Sequence, residues 1–256
     1  MNYIIHSPLE QFKIIPYIEL NSDFIKNIYV FNITNYVIYL VIVLGIIYVL
    51  HTYAFNNDSY ILPTRYSTGV EGLYNTVRNI TISQLGNGGQ IYIPLIYTIF
   101  IIILFSNVIS IVPYNFAIMA QVIFTLSMSF TIWIAVTILG LTRHGITWFS
   151  LFVPAGCILP LLPLLVIIEA ISYFARSISL GLRLGANILA GHLLLIILAG
   201  LIYDFVNISI INTIIGIIPI IIVIGITALE TAICWIQAYV FCILTASYIK
   251  DGLYSH

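Results

Sequence analysis

The sequence predicts an all-α membrane protein, a single membrane domain with about five transmembrane helices and one amphipathic helix in the membrane interface. Three observations carry this expectation. Of 256 residues, 61% are hydrophobic and 7% are charged, with a mean hydropathy of +1.12. A soluble domain is usually about a quarter charged, so a soluble fold of this composition could not cover its surface with polar groups. Five stretches are also long and apolar enough to cross a bilayer, which takes about 20 residues in a helix. One further stretch has apolar residues at helical spacing with polar residues opposite.

Residues 1–32 form an N-terminal segment. Its first six residues, MNYIIH, hold no Lys or Arg before an apolar core, so a secretory signal is not expected. The first span is 33–55. Residues 65–82 place Val70, Leu73, Val77 and Ile80 on one face and Glu71, Asn75 and Arg78 on another. That pattern fits a helix lying in the interface, the alternative being an ordinary helix in a soluble loop. Asn87-Gly88-Gly89 marks a turn. Spans 91–111 and 115–141 then make a helical hairpin.

The last two stretches, 158–201 and 208–249, hold 44 and 42 residues. A helix of 44 residues is about 66 Å long, against a hydrocarbon core of about 30 Å. Neither stretch has a charged or Gly/Pro-rich break at its middle, so two long tilted helices are expected, joined at Tyr203-Asp204-Phe205. Pro160, Pro163 and Pro219 fall near helix starts, where proline is tolerated.

Loop charges give an orientation. Five spans put the ends on opposite sides. Arg65, Arg78, Arg143 and Lys250 share the side of the C-terminus, whereas Lys13 and Lys26 lie with the N-terminus. The positive-inside rule makes the C-terminal side cytoplasm-like or matrix-like.

Four charges lie inside the last two spans: Glu169, Arg176, Arg183 and Glu230. His192 joins them in the fourth span. A charge at the bilayer centre costs about 2.5–3.5 kcal/mol on insertion scales and commonly marks an ion path. Glu169, Arg176 and Arg183 are spaced seven apart, so they share one helix face, with Asn187 a turn further and Ser172 and Ser179 beside them. His192 points to the opposite face. Glu230, Cys234 and Gln237 form a second polar stripe at offsets 0, 4 and 7, which an antiparallel arrangement could bring to the first. Gly181 and Gly185 have the GxxxG spacing that lets helices approach closely. The competing structural reading pairs Glu169 with Arg176 alone. It leaves Arg183 without a carboxylate one turn away.

Other chemistry is not supported. The net charge is −1, with no basic patch or charge run, so no nucleic-acid partner is expected. Cys157, Cys234 and Cys242 show no metal-ligand spacing and read as small buried hydrophobes. No GxxxxGK[ST] loop occurs, and no cofactor is expected. A redox subunit would want facing His pairs within the bilayer. A secondary transporter would want related halves and broken helices.

The run Ser179-Leu-Gly-Leu-Arg-Leu-Gly-Ala-Asn-Ile-Leu-Ala-Gly-His192 closely resembles the signature of subunit a of F-type ATP synthases. Ser150-Leu-Phe-Val-Pro-Ala-Gly, Leu164 to Arg176, and Ile243 to Asp251 resemble the mitochondrial form, and Ser7-Pro-Leu-Glu-Gln-Phe12 the start of mature fungal versions. The resemblance covers essentially the whole chain. It implies a multi-pass protein of the mitochondrial inner membrane, with its N-terminus in the intermembrane space and its C-terminus in the matrix. It further implies a stator subunit, not catalytic alone, that conducts protons through two offset half-channels. Partners would be the c-ring, other membrane-sector and peripheral-stalk subunits, and lipids. The long hairpin would lie against the c-ring. Arg183 then matches the arginine that faces the ring carboxylates. Asn187, His192 and Glu230 match the intermembrane-space half-channel, and Glu169 and Asp251 the matrix one. Gln237 matches a glutamine near the arginine, and Arg176 is read as a structural charge. Removal of a short leader before Ser7 is also implied.

Overall fold

The computed structural model describes residues 9–18, 33–55, 64–112, 115–153, 162–208 and 216–254. Among these residues lie six α-helices: α1 (Asn35–Phe55), α2 (Arg65–Leu85), α3 (Ile93–Ser110), α4 (Val122–His144), α5 (Leu162–Ile208) and α6 (Ile217–Leu253). All except α2 fall in the five segments long and apolar enough to cross a membrane. The protein is an all-α membrane protein, as its composition predicts.

The N-terminal segment contains a feature with no sequence signal. Pro16–Ile18 pairs antiparallel with Ile33–Thr34 just before α1. Buried Asn35, at the start of α1, secures the segment. Its side chain donates to the Lys13 carbonyl at 3.0 Å and accepts from the Ile15 amide at 3.3 Å. An asparagine here can satisfy both backbone groups at once, having a donor and an acceptor on one amide.

Helix α2 is the amphipathic helix. Thr64 caps it by accepting from the Ser67 amide, which satisfies one of the free N–H groups of the first turn. It ends at Gly86, whose φ of 67° suits glycine. Val70, Val77 and Ile80 are buried, Glu71, Asn75 and Arg78 are exposed, and the helix packs on α1, α3 and α6.

Three boundaries differ most from the sequence expectation; the first is that α6 begins at Ile217, not at Ile208, which instead ends α5. α4 begins at Val122, not Asn115. Phe116 to Ala120 are all buried in a non-α path that includes the short 3-10 helix Ile118–Ala120. Their apolarity reflects core packing, which composition cannot distinguish from a helix. α5 continues to Ile208, so the join expected at Tyr203-Asp204-Phe205 lies within it. A lone Asp costs a helix only a few tenths of a kcal/mol, too little to end it. Residues 154–161 and 209–215, which include the expected start at Ile158, lie outside the described residues.

The core gathers where α3, α4, α5 and α6 meet, around Ile96, Ile103, Ile132, Leu184, Ile188 and Phe241. The GxxxG pair sets the distance between α4 and α5. A Cβ on Gly181 would sit 2.6 Å from Ser129 Oγ and 2.9 Å from both the Leu126 Cα and the Thr125 carbonyl. One on Gly185 would meet Thr125 Oγ1 at 2.8 Å. At the far end of α4, His144 Nε2 lies 2.9 Å from the Leu253 carbonyl, joining the ends of α4 and α6. His144→Ala should free that carbonyl, a loss of about 1 kcal/mol for one hydrogen bond. Amide exchange in the last turn of α6 should quicken while α3 stays protected; unchanged exchange there would count against the contact.

Candidate functional site

The face that α5 buries decides where its charges go. Tyr173, Ser177, Leu180, Leu184, Ile188 and His192 are buried, at steps of three and four residues. This stripe faces the bundle. Arg183 and Asn187 fall off it and are exposed. Among the described residues, Arg183 has no hydrogen bond and no carboxylate within ion-pair distance. It lines a groove of ≈620 Å³ between α5 and α6, together with Ser172, Arg176, Ser179, Ser247 and Asp251.

Two polar clusters flank it. On one side Arg176 bridges two carboxylates, with Nη1 3.2 Å from Asp251 Oδ2 and Nη2 3.8 Å from Glu169 Oε1. All three side chains are about 40% exposed, so water screens these pairs and their net worth is about 0–1 kcal/mol. The arrangement positions charges more than it stabilises the fold.

The other cluster is buried. His192 Nε2 lies 3.8 Å from Glu230 Oε1, and the side chains are 10% and 6% exposed. Among the described residues, neither that nitrogen nor either carboxylate oxygen has a hydrogen-bond partner. Gly191 makes the room: a Cβ there would come within 2.7 Å of Glu230 Oε1. One turn along α6, Cys234 offers its carbonyl to Asn107 Nδ2 at 3.5 Å, and Asn107 Oδ1 is likewise buried without a partner. Buried polar groups are seldom left unsatisfied, and such a cluster is suited to holding water.

Between the clusters Asn187 Nδ2 donates to Gln237 Oε1 at 3.3 Å. The pairings therefore run 176 with 251, 187 with 237, and 192 with 230, the α6 number falling as the α5 number rises. This is an antiparallel register, and it brings the two polar stripes together. Glu169 lies about 21 Å and His192 about 14 Å from Arg183 along the α5 axis, in opposite directions.

A family model described as ATP synthase A chain matches residues 37–250. The chain belongs to that family. Among its relatives named "ATP synthase subunit a", one from Yarrowia lipolytica is 51% identical, covering 100% of both chains. Those from Saccharomyces cerevisiae and Emericella nidulans are 49% and 50% identical, each alignment covering 100% of this chain and 98% of the relative. Membership in the ATP synthase A chain family supports the role of a proton-conducting stator subunit, one that translocates protons and is not itself the catalytic subunit. With its five apolar helices and fungal relatives, it is a multi-pass protein of the mitochondrial inner membrane. The redox-subunit and transporter readings are set aside.

All eight residues singled out in the sequence lie on α5 and α6. Seven of them fall into the three pairings, Glu169 by way of Arg176, while Arg183 stands alone. Sequence reasoning paired Arg176 with Glu169 only and missed the closer approach to Asp251, 75 residues away. It also passed over Asn107, whose one available signal is a side-chain amide inside a mainly apolar helix.

Proposed function

We propose that protons enter and leave the c-ring through two half-paths built on α5 and α6, separated by Arg183. The observation that supports this most is the exposed, unpaired guanidinium of Arg183 between an open acidic cluster and a buried one. Glu169 and Asp251 serve the matrix half-path. His192 and Glu230, with Asn187 and Gln237 leading toward Arg183, serve the intermembrane-space half-path. Arg176 holds the two matrix carboxylates in place.

The chemistry follows from electrostatics. A ring carboxylate facing lipid is neutral, because burial disfavours its charged form. Beside Arg183 the ionised form is favoured, and the proton leaves. An arginine serves this role because it does not itself deprotonate. It also repels protons that would otherwise pass straight between the half-paths. The driving energy is about 2.3 kcal/mol per charge per 100 mV. Helices of 47 and 37 residues exceed the ~20 that cross a bilayer upright, and we place them steeply inclined along the ring. The N-terminus lies in the intermembrane space and the C-terminus in the matrix, on the loop charges.

Cysteines substituted singly at 169 and 192, in a chain lacking its native ones, test this arrangement. A membrane-impermeant thiol reagent should label position 169 from the matrix side and position 192 from the other. Labelling of both from one side would defeat the two-path scheme. Glu230→Gln should lower proton conduction per assembled complex at least about tenfold, since it removes the titratable group from the buried pair; conduction at the wild-type rate would remove Glu230 from the path.

A further inference from the structure

The N-terminal segment reaches the buried cluster. Phe12 presents its ring edge-to-face to His192, with centroids 6.2 Å apart and planes at 87°. The ring is partly buried against the core. Its position is fixed through the backbone: Gln121, just ahead of α4, donates its amide to the Phe12 carbonyl at 2.7 Å. The neighbouring residues are fixed too, since Asn35 holds both the Lys13 carbonyl and the Ile15 amide. Three hydrogen bonds, spanning up to 109 residues of sequence, thus place one aromatic ring against one imidazole. Among the described residues, the buried side-chain nitrogen of Gln11, next to Phe12, has no hydrogen-bond partner, and neither do His192 Nε2 and the two Glu230 carboxylate oxygens.

We propose that Phe12 is a positioning residue for proton transfer, a strap fixed by Gln121 and Asn35 that holds the His192 imidazole toward Glu230. This rests on the assignment of His192 and Glu230 to a half-path. The physical reason is geometric. At 3.8 Å the imidazole nitrogen and the carboxylate are beyond a direct hydrogen bond. A single water can relay between them only while the ring keeps its orientation. Among the described residues Nε2 of that imidazole has no hydrogen-bond partner, so packing limits the rotation of the ring. An edge-to-face aromatic neighbour is a preferred packing partner for such a ring. Misplacement of a transferring group by about 1 Å can cost about a hundredfold in rate, so a modest loosening is readable.

Passive proton uptake, measured in inner-membrane vesicles and normalised to assembled complex by blotting, tests the assignment. Phe12→Ala should reduce uptake several-fold, and Phe12→Tyr, which keeps the ring edge, should restore most of it. Gln121→Ala should reduce uptake in the same direction by releasing the strap without altering the ring. Wild-type uptake in Phe12→Ala would overturn the proposal, as would a Phe12→Tyr variant as impaired as the alanine one. Should Phe12→Ala fail to assemble, Gln121→Ala decides, and wild-type uptake in that variant would overturn the proposal. Wild-type uptake in Glu230→Gln would instead indict the half-path assignment, so the two failures are distinguishable.

Discussion

Arg183→Ala is expected to abolish coupled ATP synthesis while the complex still assembles. The guanidinium is exposed beside a groove and has no carboxylate partner among the described residues. Alanine at this position breaks no ion pair and opens no cavity in the core. On the proposed two-path scheme, what it removes is a fixed cation next to the path of the ring carboxylates. A cation within about 4–6 Å favours ionisation by 1–3 pK units, roughly 10- to 1000-fold. Without that bias the carboxylate keeps its proton where it should release it. Lysine should rescue only in part, because its ammonium can lose its proton when desolvated and lacks the planar fork. The measurement is ATP synthesis by vesicles held at a fixed proton-motive force, with subunit content checked by blotting. Synthesis near the wild-type rate in the alanine variant would contradict the role assigned to Arg183. Loss of the subunit from the complex would show that the residue serves the fold.

Gly181→Val should have the opposite signature, with the subunit lost before function can be assayed. Two of the three atoms that a Cβ would meet within 3 Å belong to the α4 backbone. Backbone cannot swing aside as a flexible side chain can, so α4 and α5 must separate. Overpacking of this kind typically costs about 1–3 kcal/mol, and here it falls on the contact that holds α5 in place beside its charges. Gly45→Ala is the control, since nothing lies within 4 Å of a Cβ there and alanine favours a helix by about 0.5–1 kcal/mol over glycine. Steady-state subunit levels and thermal stability in detergent read both variants. Gly181→Val at wild-type levels would mean that the close approach of α4 and α5 is unimportant.

These two expectations rest on different kinds of sequence legibility. Arg183 was evident because a permanent charge in an apolar run is costly and must have a use. The seven-residue spacing to Arg176 and Glu169 gave their common face without reference to a partner. Gly181 and Gly185 announced a close approach, but only the structure names α4 as the helix that approaches. What stayed hidden depends on contacts distant in sequence. Gln121 looks like an ordinary polar residue at the edge of a span, and nothing nearby reveals that it grips Phe12. Asp251 reaches Arg176 because α6 runs back antiparallel along α5 from Glu230 to Asp251. The early segment of the third span was misread because a buried irregular path and a membrane helix require the same apolar residues.

The antiparallel register of α5 and α6 has a consequence for how the chain can change. Both clusters are mounted on the same two rods, so the spacing between them is a count of peptide units rather than a matter of side-chain choice. One residue inserted between Arg176 and His192 would turn one end of α5 by about 100° relative to the other and lengthen the interval by about 1.5 Å. No rotamer adjustment could restore both pairings together. Side chains along this interval can be exchanged one at a time, but its length is fixed as a gauge is, and insertions and deletions should be confined to the connections outside it.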